Sequence, residues 1–365
     1  MKKRILQVSC GGLGRGGIST VIFSIVEPLK NEFEFDCVVF KKKCEREILF
    51  EKIGNLYRIN TYNNEGKFRI WELLIRPLVL YAGIKRICKN SSYDAIHCHN
   101  LNDIGVCLLA AKHAGVKIRI AHSHNTSSSR KKNCFIKLQE RFNRLLIKAS
   151  ATECISCSDA AGNSYFREIP YNVIYNSIDL KEFAPKEKKI HSDTVFINVG
   201  RYTYQKNQEF VIHIFNIIKK YIKESKLYLV GYGEDQEKLS NMIKLYNLED
   251  SVLLVPGNRV DVKEFYDKSD YMIFPSRYEG FGIALLEAQA KLIPCFVSEA
   301  VQKEVDVGLL EYISLNNSPE FWAKYILDYI KNGKLVDEDM VNKNLKRYSI
   351  DSIKECYAKI YRGQV

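Results

Sequence analysis

Two segments in the second half of the sequence place charged side chains at spacings that suit anion and hydroxyl binding. In Gly200-Arg201-Tyr202-Thr203-Tyr204-Gln205-Lys206-Asn207 a strand-like run, Thr194–Val199, gives way to a helical pattern beginning at Asn207. Arg201 and Lys206, five residues apart across such a loop, can converge on one anion, the guanidinium as a planar fork and the ammonium as a point charge. The alternative is two solvated loop bases. The second segment runs Pro275-Ser276-Arg277-Tyr278-Glu279-Gly280-Phe281-Gly282 and continues as Ile283-Ala284-Leu285-Leu286-Glu287-Ala288. A strand enters a glycine-bearing loop, and a helix starting near Gly282 offers free backbone N–H groups to a phosphate. Glu279 precedes that helix and Glu287 lies well inside it, so they are not an acid/base couple on one face. One carboxylate can hold hydroxyls on one side of a phosphate and the other those beyond it, as a sugar and a ribose would require. Glu287 sits among apolar residues, where a carboxylate needs a partner unless it points to solvent.

The first half carries quieter signals. Gly12-Leu13-Gly14-Arg15-Gly16-Gly17 follows the first strand-like run and satisfies G-x-G-x-x-G, a loop that lets a phosphate reach the backbone and a helix N-terminus. A dinucleotide-dependent enzyme is therefore one reading. It expects an acid at the end of the second strand, where Lys41-Lys42-Lys43 stand instead, with Asp36 at that strand's start. His97-Cys98-His99 and His122-Ser123-His124 lie where strands should end. The two members of each pair are expected to point to opposite faces of the sheet, with His97 and His122 structural. His99 and His124 would then face a ligand, as proton-handling or hydrogen-bonding groups. No closed zinc set is expected from their spacing. The 11 cysteines, odd in number and irregular in spacing, read as small buried hydrophobes, and the lone C-x-x-C at Cys154 and Cys157 lacks a second pair.

Taken together, the E-x7-E pair of Glu279 and Glu287, the G-R-x4-K-N loop, the GG-x3-GG loop and the segment VIYNSIDLKEF resemble the GT-B glycosyltransferases of family GT4. The similarity extends over nearly the whole chain and is narrowest to bacterial capsular and exopolysaccharide transferases. It implies retaining transfer from a nucleotide sugar, usually UDP-linked, without a metal or other cofactor. Arg201 and Lys206 would hold the donor diphosphate, Glu279 the donor sugar and Glu287 the ribose. Backbone from Gly280 through Phe281 to Gly282 would contact sugar and phosphate, and Gly16 and Gly17 would let the diphosphate approach the first domain. His124 matches the family's histidine near the reacting carbon, with His99 and Asn125 on the acceptor side. In place of the family's small-Gly-Pro turn after the E-x7-E helix stands Lys291-Leu292-Ile293-Pro294, and Ser298-Glu299-Ala300-Val301 replaces a glycine pair. A non-catalytic sugar-nucleotide-binding protein on the same fold is the competing reading.

These residues need strand ends to present them. Apolar, β-branched runs at Arg4–Ser9, Phe35–Phe40, Ala95–His99, Lys117–His122, Glu153–Ser156 and Asn172–Tyr175 alternate with helical patterns. The alternation restarts at Thr194–Val199 and continues through Cys295–Ser298. That pattern predicts an α/β protein with two Rossmann-like parallel sheets facing a central cleft. The boundaries predicted are an acceptor-binding domain over 1–180, joined by a C-terminal helix at about 345–365, and a donor-binding domain over 181–344. At 365 residues, 46% hydrophobic and 27% charged, the chain excludes disorder and low-complexity repeats.

Charge is uneven. Residues 1–180 hold 28 Lys+Arg against 16 Asp+Glu, which accounts for the whole net charge of +12. Clusters fall at Lys41–Lys43, Arg69–Lys89 and Arg130–Lys148, the last an amphipathic helix. Such a helix suits an anionic membrane face, and equally a surface helix with its apolar side on the core. No aromatic platform or nucleic-acid motif accompanies it, so nucleic acid is not expected as a partner. The opening MKKRILQVSC has too short an apolar run for a secretory signal. The expected location is cytoplasmic, peripheral at the inner membrane face, with a saccharide acceptor carried on polyprenyl diphosphate.

Overall fold

The computed structural model of the protein describes residues 2–9, 12–14, 16–40, 45–60, 70–99, 103–126, 134–186, 192–257, 261–333 and 335–364. Lys41–Lys43, Arg15 and the segment Arg130–Lys132 lie outside them. The chain divides into two compact units. Unit 1 comprises Met1–Ser177 and Ile350–Val365, and unit 2 comprises Ile178–Ser349.

Unit 1 begins with β1 (Arg4–Ser9), α1 (Gly17–Leu29), β2 (Glu34–Val39), α2 (Glu47–Glu51) and β3 (Leu56–Arg58). It continues with α3 (Ile70–Ser91), β4 (Ala95–His99), α4 (Ile104–His113), β5 (Ile118–Ser123), α5 (Cys134–Ser150), β6 (Glu153–Ser156), α6 (Asp159–Phe166) and β7 (Asn172–Val173). The seven strands form one parallel sheet in the order β3-β2-β1-β4-β5-β6-β7. Successive residues of β1, β2 and β4 are buried on both faces, the pattern of a parallel sheet covered by helices. Its core gathers Leu6, Val8, Val38, Ile96, Cys98, Ile104, Leu108 and Ala121.

Unit 2 contains β8 (Thr194–Val199), α7 (Gln208–Tyr221), β9 (Ser225–Gly231), α8 (Gln236–Leu245), β10 (Val252–Pro256), α9 (Val262–Tyr266) and β11 (Tyr271–Phe274). Then follow α10 (Ile283–Ala290), β12 (Cys295–Ser298), β13 (Leu310–Ile313), α11 (Pro319–Asn332) and α12 (Glu338–Leu345). Its parallel sheet runs β10-β9-β8-β11-β12-β13. The chain enters and leaves this unit side by side: Ile178 bridges Ser349, and its N–H donates to the Tyr348 carbonyl at 2.9 Å.

The last helix, α13 (Ile350–Arg362), belongs to unit 1. It buries Ile353, Tyr357, Ile360 and Tyr361, the i, i+4, i+7, i+8 stripe of a helix with one apolar face. Lys3 Nζ donates to its C-terminal carbonyls at Arg362 (2.7 Å) and Tyr361 (3.3 Å), which meets the partial negative charge of a helix end.

Candidate active site

In each sheet the strand order reverses at one place, between β1 and β4 in unit 1 and between β8 and β11 in unit 2. Ligands of open parallel sheets bind outside the strand carboxyl ends at such a point. The loops singled out from the sequence leave these strands.

In unit 2 the loop after β8 ends in Lys206 and the loop after β11 carries Glu279. The two meet, Lys206 Nζ donating to Glu279 Oε2 at 2.5 Å, with both side chains largely buried. Lys206 also stands 4.5 Å above the centre of the Phe274 ring, a favourable placement for an ammonium. Neighbouring hydrogen bonds tie the two loops together. Gln205 donates to the Tyr278 carbonyl (3.0 Å), Asn207 Nδ2 to Pro275 (3.1 Å) and the Arg277 N–H to Gln205 (2.8 Å). Asn207 opens α7 with φ +58°, a left-handed conformation that asparagine tolerates better than most residues. Arg201 is anchored through its carbonyl, which accepts from Gln208 at 3.1 Å, while its side chain is exposed with no ion-pair or hydrogen-bond partner among the described residues.

Gly282 opens α10 in the left-handed region, φ +91°, with no side-chain cap on the helix. A side chain there would press on Leu285 Cδ1 at 3.2 Å. The Leu285 N–H donates to the Gly282 carbonyl at 2.9 Å, while no side chain caps the N–H groups of Ile283 and Ala284, which lie beside Glu279, whose own carbonyl accepts from Gln302 at 3.3 Å. Glu287, further along α10, has its own partner: the Tyr266 hydroxyl donates to its Oε2 at 3.0 Å. Burial pushes the Glu287 carboxyl up to about 7, and the Tyr266 hydrogen bond pulls the other way. The two glutamates are served by different partners, Lys206 and Tyr266.

In unit 1, Gly16 and Gly17 open α1 without a side-chain cap, and a side-chain carbon added at Gly14, Gly16 or Gly17 would meet nothing within 4 Å. That open backbone is what an approaching phosphate needs. Asp36 is not available to a ribose. Its carboxylate, buried at the start of β2, accepts from Arg4 (3.1 Å), the Asn55 N–H (2.8 Å) and the Tyr93 hydroxyl (2.5 Å).

The histidine pairs correct the expectation of opposite faces. Side chains alternate at every residue of a strand, so i and i+2 share a face. His97, His99, His122 and His124 form one buried cluster, with 4.0 Å between ring centres within each pair. His99 is fully buried and both its nitrogens are bonded, to His124 Nε2 (3.0 Å) and Gln7 Oε1 (2.7 Å). Asn125, half-buried, lies just past β5. His97, His99 and His122 also bring one ring nitrogen each within 4.8 Å of one another, as metal ligands would be. Every ring nitrogen of the three except His122 Nε2 already has a protein partner. Sequence reasoning passed over Gln7, Tyr266 and Tyr361. A glutamine inside the apolar run of β1 was the available signal for the first.

The chain matches the family model for Glycosyltransferase Family 4 over residues 15–182 and that for Glycosyl transferases group 1 over 180–347. It is 30% identical to EpsF of Bacillus subtilis (strain 168), covering 89% of this chain and 87% of that protein. The chain is a family 4 glycosyltransferase. A second relative is the Escherichia coli UDP-Gal:alpha-D-GlcNAc-diphosphoundecaprenol alpha-1,3-galactosyltransferase, 27% identical over 78% of this chain and 80% of that one. Among solved structures, Anabaena HepE in complex with UDP-glucose aligns with a TM-score of 0.80 at 17% identity, covering 99% of both chains, and shows that the family 4 chain has the GT-B fold. The paired glutamates, the lysine loop, Gly16 and Gly17 of this glycosyltransferase fall within the two matched segments.

Proposed function

We propose that the protein transfers a sugar, with retention at the anomeric carbon, from a UDP-linked donor to a saccharide carried on polyprenyl diphosphate, in the synthesis of a capsule or exopolysaccharide. The observation that carries this reading is the Lys206–Glu279 pair, 2.5 Å apart beside the uncapped N-terminus of α10. Lys206, Arg201 and the helix N–H groups supply positive charge for a diphosphate, and Glu279 and the backbone of Gly280–Gly282 hold sugar hydroxyls. Glu287 takes the ribose, and Gly16 and Gly17 leave room for a phosphate at the start of α1. The acceptor oxygen attacks the anomeric carbon on the face from which the diphosphate departs. The carbon–oxygen bond to phosphate breaks, its electrons pass to the leaving oxygen, and that oxygen takes the acceptor's proton. Charge grows on the diphosphate in the transition state, where fixed cations act most strongly. These groups need no divalent ion, so activity is expected to persist in excess chelator; loss restored by manganese would contradict this.

The relatives support the choice of substrates: the E. coli enzyme is named for UDP-Gal and a diphosphoundecaprenol acceptor, and HepE was solved in complex with UDP-glucose. An acceptor of that kind is presented at a membrane. No helix among the described residues is long and apolar enough to cross one. α5, however, turns Ile136, Leu138, Phe142 and Leu145 outward together with Lys137, Arg141 and Lys148. α3, which packs on the same neighbour α4, exposes Ile75, Leu78 and Val79. Leu138, Phe142 and Leu145 of the stripe read from the sequence thus face outward, as docking on an anionic lipid surface requires.

The test is a thermal-shift panel of UDP-, GDP- and dTDP-sugars followed by transfer to a polyprenyl-diphosphate saccharide. A donor that binds the native state raises Tm by mass action. UDP-sugars are expected to raise it and to be consumed. Absence of any shift, or binding without transfer or hydrolysis, would overturn the assignment, the second outcome in favour of a non-catalytic binding protein.

A further inference from the structure

The four histidines of unit 1 are joined to the C-terminal helix by a continuous chain of hydrogen bonds. His124 Nε2 meets His99 Nδ1 at 3.0 Å, and His99 Nε2 meets Gln7 Oε1 at 2.7 Å. Gln7 Nε2 donates to the Tyr361 hydroxyl at 2.9 Å, which meets His97 Nδ1 at 2.8 Å, and His97 Nε2 meets His122 Nδ1 at 3.1 Å. Burial pushes the basicity of all four rings down, His124 to about 3, so each is a neutral imidazole with one N–H and one lone pair. In such a ring the role of one nitrogen dictates the role of the other.

The sense of every bond follows from the amide. Gln7 Oε1 can only accept, so His99 carries its proton on Nε2 and offers a lone pair at Nδ1. His124 must then donate from Nε2, which leaves its Nδ1 as an acceptor. In the other direction, the Tyr361 oxygen accepts from Gln7 and its proton goes to His97 Nδ1. His97 therefore donates from Nε2 to His122 Nδ1, and His122 keeps its proton on Nε2. The two ends of the chain, His124 Nδ1 and His122 Nε2, are the two ring atoms that have no partner among the described residues. Turning the Gln7 amide over would reverse every bond and convert His124 Nδ1 into a donor.

We propose that Gln7 and Tyr361 are positioning residues that fix His124 as the Nε2–H tautomer, so that Nδ1 accepts a hydrogen bond from a hydroxyl of the sugar substrate. The C-terminal helix thereby sets the polarity of a group in the N-terminal sheet. The identity of the hydroxyl's owner rests on the proposed transfer reaction; the tautomer does not.

The experiment is long-range proton–nitrogen NMR on the full-length protein labelled at histidine nitrogens, alongside steady-state kinetics. The wild-type His124 is expected to show a protonated Nε2 and an unprotonated Nδ1. Tyr361→Phe keeps the ring but removes the hydroxyl, freeing the Gln7 amide to turn; mixed His124 tautomers and a kcat lowered about tenfold at unchanged donor KM are expected. Gln7→Leu should do the same. Gln7→Glu, which still offers an acceptor to His99, should restore the tautomer. A wild-type His124 protonated on Nδ1, or an unchanged tautomer in both Tyr361→Phe and Gln7→Leu, overturns the proposal. A wild-type protein with the expected tautomer but no transfer would instead overturn the proposed reaction and leave the network standing.

Discussion

Lys206 and Glu279 neutralise each other at 2.5 Å, so a diphosphate that takes over the ammonium frees the carboxylate for sugar hydroxyls. Lys206→Ala should therefore remove about 3 kcal/mol of transition-state stabilisation, roughly a hundredfold in kcat at saturating donor. Near-wild-type turnover would end the assignment. Glu287 makes a second claim. Its folded carboxyl titrates near 7 against an ordinary 4.5, so the folded state holds a proton that the unfolded chain releases between those values. The resulting stability is complete below pH 4.5 and lost as pH rises through 7, a difference of about 3 kcal/mol. Urea unfolding of the wild type should weaken from pH 4.5 to 8, and Glu287→Gln should flatten that dependence; parallel profiles would refute it. Arg201, Lys206, Glu279 and Glu287 were legible because each sits within a few residues of a strand end or helix start, where local pattern reveals position. Tyr266 and Tyr361 were not, since each reaches its partner from another helix with no sequence spacing to announce it.

Long apolar elements were also legible: β1, β4, β6, β8 and β12 match their runs residue for residue. β3 and β13 were missed because three or four residues of mixed burial carry no period, and α2 and α6 were missed as well. α11 was missed despite Ser318-Pro319-Glu320, whose serine caps the helix through the Phe321 N–H. At α10 the exit is built by Lys291-Leu292-Ile293-Pro294. Leu292 takes φ +58°, and Lys291 is buried with its ammonium on Asp267 (2.5 Å) and the Ala184 carbonyl (2.9 Å). The entry to the same helix depends on Gly282. Gly282→Ala should cost about 1–3 kcal/mol of stability through its backbone conformation, visible as a lower Tm, and should weaken donor binding by tilting the N–H groups. A Tm equal to wild type would show that this turn carries no strain. α5 supplies the third expectation here. Replacing Leu138, Phe142 and Leu145 by serine should abolish flotation with anionic vesicles, and salt should weaken wild-type binding. Equal flotation with neutral and anionic vesicles at low salt would exclude docking by charge.

The chain is not two beads in sequence order, because α13 follows unit 2 yet completes unit 1. It buries Ile353, Tyr357, Ile360 and Tyr361, each contributing about 1.5–3 kcal/mol when removed from water. Together they approach the whole stability of an ordinary domain, about 5–15 kcal/mol. A chain ending at Ser349 should therefore lose the cooperative unfolding of unit 1, with Gln7, His97 and His122 stripped of their cover. Unit 2 keeps Arg201, Lys206, Glu279, Tyr266 and Glu287, all within Ile178–Ser349. Calorimetry of that truncated chain should show one transition that a UDP-sugar still raises, and addition of a peptide spanning 350–365 should restore part of the other. Loss of both transitions would mean that the units stabilise each other rather than folding as separate bodies. A surviving unit 1 transition would mean that α13 is an accessory to the stability of the sheet rather than part of its core.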